Sequence, residues 1–287
     1  MIATDVMDQK FDFPCRFEKL DIVDEQKYRS LVKNNNVNYI VHLAGILSAA
    51  GEKNPDLAID VNVFGAVHGL RIARDLDCRI FLPSSIAAFG GELFPKESTP
   101  VETILQPTTI YGKTKVFNEM LGEYFCNKFG VDFRCMRYPG VVSSEKFAFN
   151  GTACYSTEIF FHILENNKYY KCWLKEDAKL PMIYIDDCVE ATMMLLRADS
   201  KKLTRCTYNL AGISFTPKEL ADAIKVLIPG AKIDFEPDFR QKIAETWPRS
   251  LNDEHSQRDW GWNYNISVLD LAKRTLDGID AKYKKNL

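Results

Sequence analysis

Residues 37–45 read VNYIVHLAG and residues 78–85 read CRIFLPSS. Both runs are nearly continuous in apolar, β-branched or aromatic residues. A strand with one wet face alternates polar and apolar side chains; a strand covered on both faces does not. The two runs therefore read as buried strands of a parallel sheet. Working outward, further strands are expected at Met1–Thr4, Cys15–Leu20, Phe133–Tyr138 and Cys206–Leu210. Helical patterns lie between them. Asn54-Pro55 opens a long one to about Leu76, because proline suits a first turn. Gln106–Lys128 is another, stopped by Gly130. Asp186–Ala198 is a third. Thr216-Pro-Lys-Glu219 forms a capping box before LADAIKVL, and the last helix runs from Ser267 to about Lys284. Strand and helix alternate, so the fold class is α/β, a Rossmann-type doubly wound parallel sheet. From about residue 145 the alternation loosens and aromatics thicken (Phe160, Phe161, Tyr169, Tyr170, Trp173). The expected division is residues 1–144 as a nucleotide-binding unit and 145–287 as a smaller lobe for substrate, with 181–212 returning to the sheet.

Composition narrows the partners. The chain has 287 residues, 46% of them hydrophobic, enough for a sizeable core. Lys plus Arg number 37 against 39 Asp plus Glu, so bulk charge will not hold nucleic acid. No apolar run approaches the roughly 18–20 residues of a membrane span. The eight cysteines include no Cys-x-x-Cys pair, and the four histidines have no ligand spacing. No metal site is expected, and the cysteines read as reduced, mostly buried thiols.

One constellation carries chemistry. Tyr111-Gly-Lys-Thr-Lys115 puts a phenol and an ammonium at i and i+4, on one helix face. A phenol is a poor base near neutral pH, and an adjacent ammonium favours its deprotonated form. Ser84-Ser85 ends a buried strand, where ligands bind in open α/β sheets. A hydroxyl there can hold a substrate alcohol beside the tyrosine, giving an acid/base pair for a proton that leaves with a hydride. Asn62, in DVNVFGAVHGL, and Arg137-Tyr-Pro-Gly140, at the next strand end, complete the arrangement.

The order LAG, DVNVFG, PSSIAAFG, YGKTK, RYPG resembles the extended short-chain dehydrogenase/reductase superfamily. HLAGILSAAGEKNP, PTTIYGKTK, GTACYSTEIF, ETWPRSLND and RDWGW resemble its L-threonine 3-dehydrogenase branch, over essentially the whole chain. The resemblance implies NAD as cofactor, L-threonine as substrate and 2-amino-3-oxobutanoate as product. It assigns Tyr111 as general base and Lys115 as its partner and a ribose ligand. Ser85 binds the hydroxyl, and Asn62 maintains the helix and proton path. Leu43, Ala44, Gly45, Tyr138 and Pro139 line the cofactor, with Asp21 and Ile22 flanking the adenine. Ser48, Gly51, Gly151, Thr152 and Trp247 are the further substrate candidates. A homodimer is implied too, with Val116, Met120, Leu121 and Phe125 fitting an interface or a core face. Eukaryotic relatives imply a mitochondrial location and bacterial ones a cytoplasmic location.

The first glycine is Gly45, so no glycine-rich turn precedes the first strand. Under the resemblance, Met1–Asp5 corresponds to the second strand of the fold, with Asp5 at its end to accept from the adenosine ribose and favour NAD over NADP. The expectation is a truncated isoform, a wrong start or a fragment, lacking a first strand–turn–helix unit of roughly 25–30 residues. Such a chain is expected to leave two inner sheet edges unpaired or force a new pairing, to bind NAD poorly and to turn over slowly or not at all. Two other readings stand beside the threonine one. A nucleotide-sugar epimerase or dehydratase needs lobe cations for a diphosphate, for which Arg240 and Arg249 are candidates. A non-catalytic binding protein would keep the fold without the chemistry.

Overall fold

The computed structural model describes residues 1–8, 14–146 and 151–283. Two short parallel strands, β1 (Ile2–Asp5) and β2 (Arg16–Lys19), come first. α1 (Glu25–Asn34) starts where the Asp24 carboxylate accepts from the Lys27 amide. β3 (Tyr39–Val41) and α2 (Ser48–Lys53) follow. The helix expected from Asn54 is α3 (Pro55–Ile59), a π turn at Asp60–Phe64, and α4 (Gly65–Asp75), joined without a break. Then come β4 (Arg79–Ser85), α5 (Ile110–Phe129), β5 (Phe133–Tyr138) and β6 (Gly140–Val142). α5 ends at Gly130, whose φ of 71° is the left-handed conformation that glycine accepts freely.

The remainder runs α6 (Tyr155–Glu165), β7 (Tyr169–Cys172), β8 (Leu180–Tyr184), α7 (Ile185–Arg197), β9 (Thr207–Asn209) and β10 (Ile213–Phe215). It closes with α8 (Pro217–Leu227), β11 (Lys232–Phe235), α9 (Phe239–Ala244), α10 (Glu254–Trp260) and α11 (Val268–Tyr283). The capping box at Thr216 and Glu219 is formed from both sides. Lys284, the expected end of the last helix, lies outside the described residues.

The central sheet is parallel, in the order β3-β4-β5-β9. Its strands are covered on both faces, as their apolar runs require. Ile80 and Leu82 of β4 pack towards α1, α4 and α5 with Tyr28, Leu70 and Phe133. Phe81, between them, packs on the other face with Met136, Leu195, Tyr208 and both Trp260 and Trp262. Each such side chain, fully buried, stabilises by about 1.5–3 kcal/mol. β1 and β2 form their own two-stranded sheet, with no pairing between β1 and β3 among the described residues.

The third core belongs to the lobe, built on Phe160, Met182, Phe215, Ile224 and Leu271. The stretch 181–212 divides. α7 covers β5 and β9 joins it, whereas β8 pairs with β6 and β10 in a separate three-stranded sheet. The reason is close approach: a Cβ on Gly212 would sit 2.0 Å from the Met182 carbonyl oxygen, and one on Gly140 2.3 Å from the Met182 sulfur. Glycine at both places lets the lobe sheet close around β8. Of the eight cysteines, Cys78, Cys135, Cys172 and Cys188 are buried and the others half-buried; all are free.

His42 follows β3 and is buried in the central core, its Nδ1 3.3 Å from the Tyr28 hydroxyl. Burial pushes its ionisation down to about 3, with Lys115 and His68 adding to the effect. An unfolded histidine titrates near 6.5. Above that value neither state holds the extra proton. Below it the unfolded chain binds a proton that the folded chain refuses until about pH 3, so stability falls across this window. Replacing His42 with Asn is expected to flatten the slope of unfolding free energy against pH between about 6.5 and 4, measured by urea titration. An unchanged slope would place the proton uptake elsewhere.

Candidate active site

Because β3, β4 and β5 run parallel, their carboxyl ends open along one edge, where ligands bind in such sheets. The edge gathers the chain after β3, Ser85 at the end of β4 and Tyr138 at the end of β5; Ser85 and Tyr138 are direct register neighbours. α5 begins beside it. Its first amides are satisfied twice, by the Thr109 side chain accepting from Gly112 N (3.1 Å) and by Glu52 of α2 accepting from Ile110 N (2.8 Å). A Cβ at Gly112 would lie 2.2 Å from the Ala87 carbonyl oxygen. Glycine here lets the helix start press directly on the single 3-10 turn, Ile86–Ala88, that follows Ser85. The first turn of α5, which carries Tyr111, is thereby set against the turn that follows the serine.

Ser84 and Ser85 have separate tasks. Ser84 is buried and donates to Glu119. Ser85 is half-buried; its oxygen accepts from Ala87 N at 3.2 Å, and its own O–H is left to donate. Lys115 places its ammonium 5.3 Å from the centre of the Tyr111 ring and donates to the Pro83 carbonyl at 2.7 Å. Asn62 sits in the π turn, a distortion that recurs at functional sites. Its amide clasps Ile46 from both sides, accepting from Ile46 N (2.7 Å) and donating to Ile46 O (3.0 Å). Its side-chain nitrogen also reaches Thr114 of α5 (3.2 Å), and its backbone carbonyl accepts from the Asn118 side chain (2.9 Å). One residue thus ties the loop after β3 to the helix of Tyr111 and Lys115.

Sequence reasoning missed the brace beneath this site. Arg137 grips Glu119 with two nitrogens, Nε to Oε1 at 2.9 Å and Nη2 to Oε2 at 2.7 Å. It also donates to the Val101 carbonyl at 2.8 Å, and its guanidinium lies over the Phe89 ring. Both side chains are about 95% buried. Arg137 and Ser84 are register neighbours on β5 and β4, so Glu119 locks α5 to both strands. The available signal was spacing: Glu119 is two helical steps of four beyond Tyr111.

The other candidates differ in exposure. Leu43, Ala44, Gly45, Asp5 and Asp21 are exposed, and the Asp5 carboxylate accepts from Met7 N. Ile22 is buried against Gly65, whose missing Cβ would lie 2.2 Å from it. Tyr138 is half-buried, its hydroxyl 2.5 Å from Thr192 Oγ1, and Pro139 is buried. Ser48 is buried, and Gly51 is closed in by Ile110 and Ala58, so both reach the edge only through the packing of α2 on α5. Gly151 is half-buried; Thr152 is fully buried with an unpartnered Oγ1. Trp247 belongs to the lobe core. Of the interface candidates, Phe125 and Leu121 pack into the central core and Val116 is half-buried, whereas Met120 is 67% exposed. Arg240 is held by Asp238 and stacked on Trp173 at 3.5 Å, which leaves it poorly placed for a diphosphate.

Residues 3–211 match the NAD dependent epimerase/dehydratase family. The chain belongs to that family. A mitochondrial L-threonine 3-dehydrogenase of Bos taurus is 39% identical over 258 residues, covering 90% of this chain and 69% of the bovine one. An uncharacterized epimerase/dehydratase of Staphylococcus haemolyticus is 38% identical over 98% of this chain and 90% of its own. Among solved structures, L-threonine dehydrogenase from Phytophthora infestans superposes with a TM-score of 0.90 at 46% identity, covering 93% of this chain and 86% of that one. NAD is the cofactor of the family, and the residues present fit it: the Lys115 ammonium stands beside the Tyr111 ring on a helix start packed against the turn after Ser85, and residues 43–45 are exposed. The described residues include no glycine-rich turn of the kind that cradles a pyrophosphate.

The brace yields a stability prediction. Glu119→Gln keeps the shape but leaves the Arg137 charge buried without its counter-charge, and a broken buried pair costs about 3–5 kcal/mol. Ser84→Ala removes one donor to that carboxylate but leaves the charges paired, and is expected to cost less, about 1.5–2 kcal/mol. Urea denaturation of the two variants measures both; near-equal losses would mean that solvent reaches the pair.

Proposed function

We propose that this chain oxidises L-threonine at C3 to 2-amino-3-oxobutanoate with NAD. The observation that carries the proposal is the seating of Tyr111 and Lys115, on the first turns of α5, against the turn that follows Ser85. Likeness to L-threonine dehydrogenases over nearly the whole chain supports the substrate.

Each residue then has a role within reach of its position. The Tyr111 oxygen takes the proton of the C3 hydroxyl. Ser85, with its O–H free to donate, holds the substrate oxygen in line with the phenol. Lys115 is pinned at Pro83 and keeps positive charge beside the ring, where it favours the deprotonated phenol and can hold a ribose hydroxyl. NAD, when bound, accepts the hydride from C3. Asn62 keeps the loop after β3 and α5 in register, so that Leu43, Ala44 and Gly45 face the cofactor, with Tyr138 and Pro139 across from them. Asp5 and Asp21 are placed for the adenosine end, with Ile22 shaping its floor. Gly151 and Thr152 are the lobe residues proposed to meet the amino acid; Ser48, Gly51 and Trp247 support that surface from behind.

The proposed assembly is a homodimer through the exposed side of α5, where Phe117, Met120 and Tyr124 stand out. For a eukaryotic source the proposed compartment is mitochondrial, by likeness to the bovine protein, and for a bacterial one cytoplasmic. No helix among the described residues is long and apolar enough to cross a membrane.

Absorbance of reduced NAD, followed with the purified chain and L-threonine, tests the reading. A threonine-dependent rise is expected, lowered by about 10²–10⁴ in Tyr111→Phe because the general base is lost. Turnover of a nucleotide sugar with none of threonine would overturn the substrate and favour the epimerase reading.

A further inference from the structure

Cys126 lies near the end of α5, and Cys206 stands just before β9. Eighty residues separate them in sequence, yet their sulfurs are 2.8 Å apart, with Cys206 Sγ donating to Cys126 Sγ. Both residues are half-buried rather than sealed. The backbone at both places is tied to the sheet: the Cys206 carbonyl accepts from Cys135 N of β5, and the Cys126 sulfur reaches towards the Phe133 carbonyl. The two thiols are therefore held together by the fold, not met by chance at two loose ends.

We propose that Cys126 and Cys206 form a modification site, a dithiol that closes to a disulfide joining α5 to the chain entering β9. The hydrogen bond from Cys206 holds the Cys126 thiol below its ordinary range, whereas Cys206 itself is held well above it, chiefly by that same bond. Cys126 is thus the attacking thiolate, since the thiolate and not the thiol is the nucleophile. The buried Cys135, Cys172 and Cys188 are each pushed up to about 12 by burial and stay protonated.

The oxidant is a small disulfide of the glutathione class. The Cys126 sulfur attacks one of its sulfurs, the S–S bond breaks, and one thiolate leaves. Cys206 then gives up its proton and attacks the Cys126 sulfur, releasing the second thiolate. Two protein thiols lose two electrons and two protons; the small disulfide gains them and becomes two thiols. The new bond fastens the far end of the helix whose first turns carry Tyr111 and Lys115. It also closes a long loop, which restricts the unfolded chain.

The test uses the full chain in buffers of graded reduced-to-oxidised glutathione, quenched with iodoacetamide and mapped by mass spectrometry without reduction. It needs no enzymatic turnover, so it stands apart from the threonine assay. The expected product is one linked peptide pair, Cys126 to Cys206, lighter by two hydrogens, with Cys78, Cys135, Cys172 and Cys188 still alkylatable after denaturation. The oxidised chain is expected to melt several degrees higher than the reduced one. Cys206→Ser is expected to stall with glutathione on Cys126, and Cys126→Ser to give neither the link nor that adduct. Full alkylation of both thiols at the most oxidising ratio would overturn the proposal. So would a persistent glutathione adduct on Cys126 in the unaltered chain, or a link between other cysteines. The unaltered chain decides the matter even if a serine variant fails to fold.

Discussion

Glu119 is a carboxylate set on the inner side of a helix, against a sheet, where water scarcely reaches. Such a group is tolerated only if its charge is matched and its lone pairs are used. Arg137 supplies the charge through two parallel bonds, Ser84 supplies a hydroxyl, and the Val101 carbonyl and Phe89 ring take up the rest of the guanidinium. These partners come from α5, β4, β5 and the connection between β4 and α5. None of the four can slide without stranding a charge. Ser85 and Tyr138 are one residue beyond Ser84 and Arg137, and Lys115 is one turn before Glu119. The strand ends and the helix that carry Ser85, Tyr138 and Lys115 are thus fixed by a requirement about solvation.

Glycine supplies the second constraint. A charged brace draws α5 onto the sheet only if the surfaces can meet. A Cβ at Gly122 would fall 2.2 Å from the Phe133 ring, and one at Gly112 would fall 2.2 Å from the Ala87 carbonyl oxygen. Overpacking a buried contact of this kind costs about 1–3 kcal/mol. One glycine therefore sets the height of the helix over β5, and the other sets its start against the turn after Ser85. In the sequence both look like weak points in a helix, since glycine is a poor helix former. In the fold they are where the helix touches.

Much of this was legible in the residues. The apolar runs around Ile40 and Ile80 gave two-sided strands, and Thr216 with Glu219 gave a helix start to the residue. The Tyr111–Lys115 pair and the strand-end serines could be singled out as a helix face and a strand end, and the fold sets that helix start against the turn after Ser85; the chemistry proposed for them rests on their residue types. Legibility failed where a role depends on what lies across a packing interface. Ser48, Gly51 and Trp247 look like open polar or aromatic ligands in one dimension, and only packing reveals that each is closed in. Glu119 and Arg137 look like surface charges, because charged residues usually are. Their pairing joins residues 18 apart through a helix and a strand, and no local pattern announces it. The short lobe strands β7, β8, β10 and β11 escaped for the same reason: their pairings are set by glycine contacts and by partners far along the chain.

The reacting end and the adenosine end of the proposed cofactor site rest on different parts of the fold. Ser85, Tyr111 and Lys115 are placed by β4, β5 and α5, whose contacts are continuous through the central core. Asp5 and Asp21 are placed by the separate pair β1–β2 and the chain after it, which meet the core through Ile22 under Gly65 and through α1 on α4. The two ends therefore answer to different interactions. The brace at Glu119 bears on the groups proposed to handle the proton, and the Ile22–Gly65 contact bears on the proposed adenosine side. Binding energy gathered far from the reacting atoms helps the chemical step only insofar as it is transmitted to them. In the proposed site the residue that links the loop after β3 to α5 is Asn62, which holds Ile46 with its side-chain amide and meets Thr114 and Asn118 of α5.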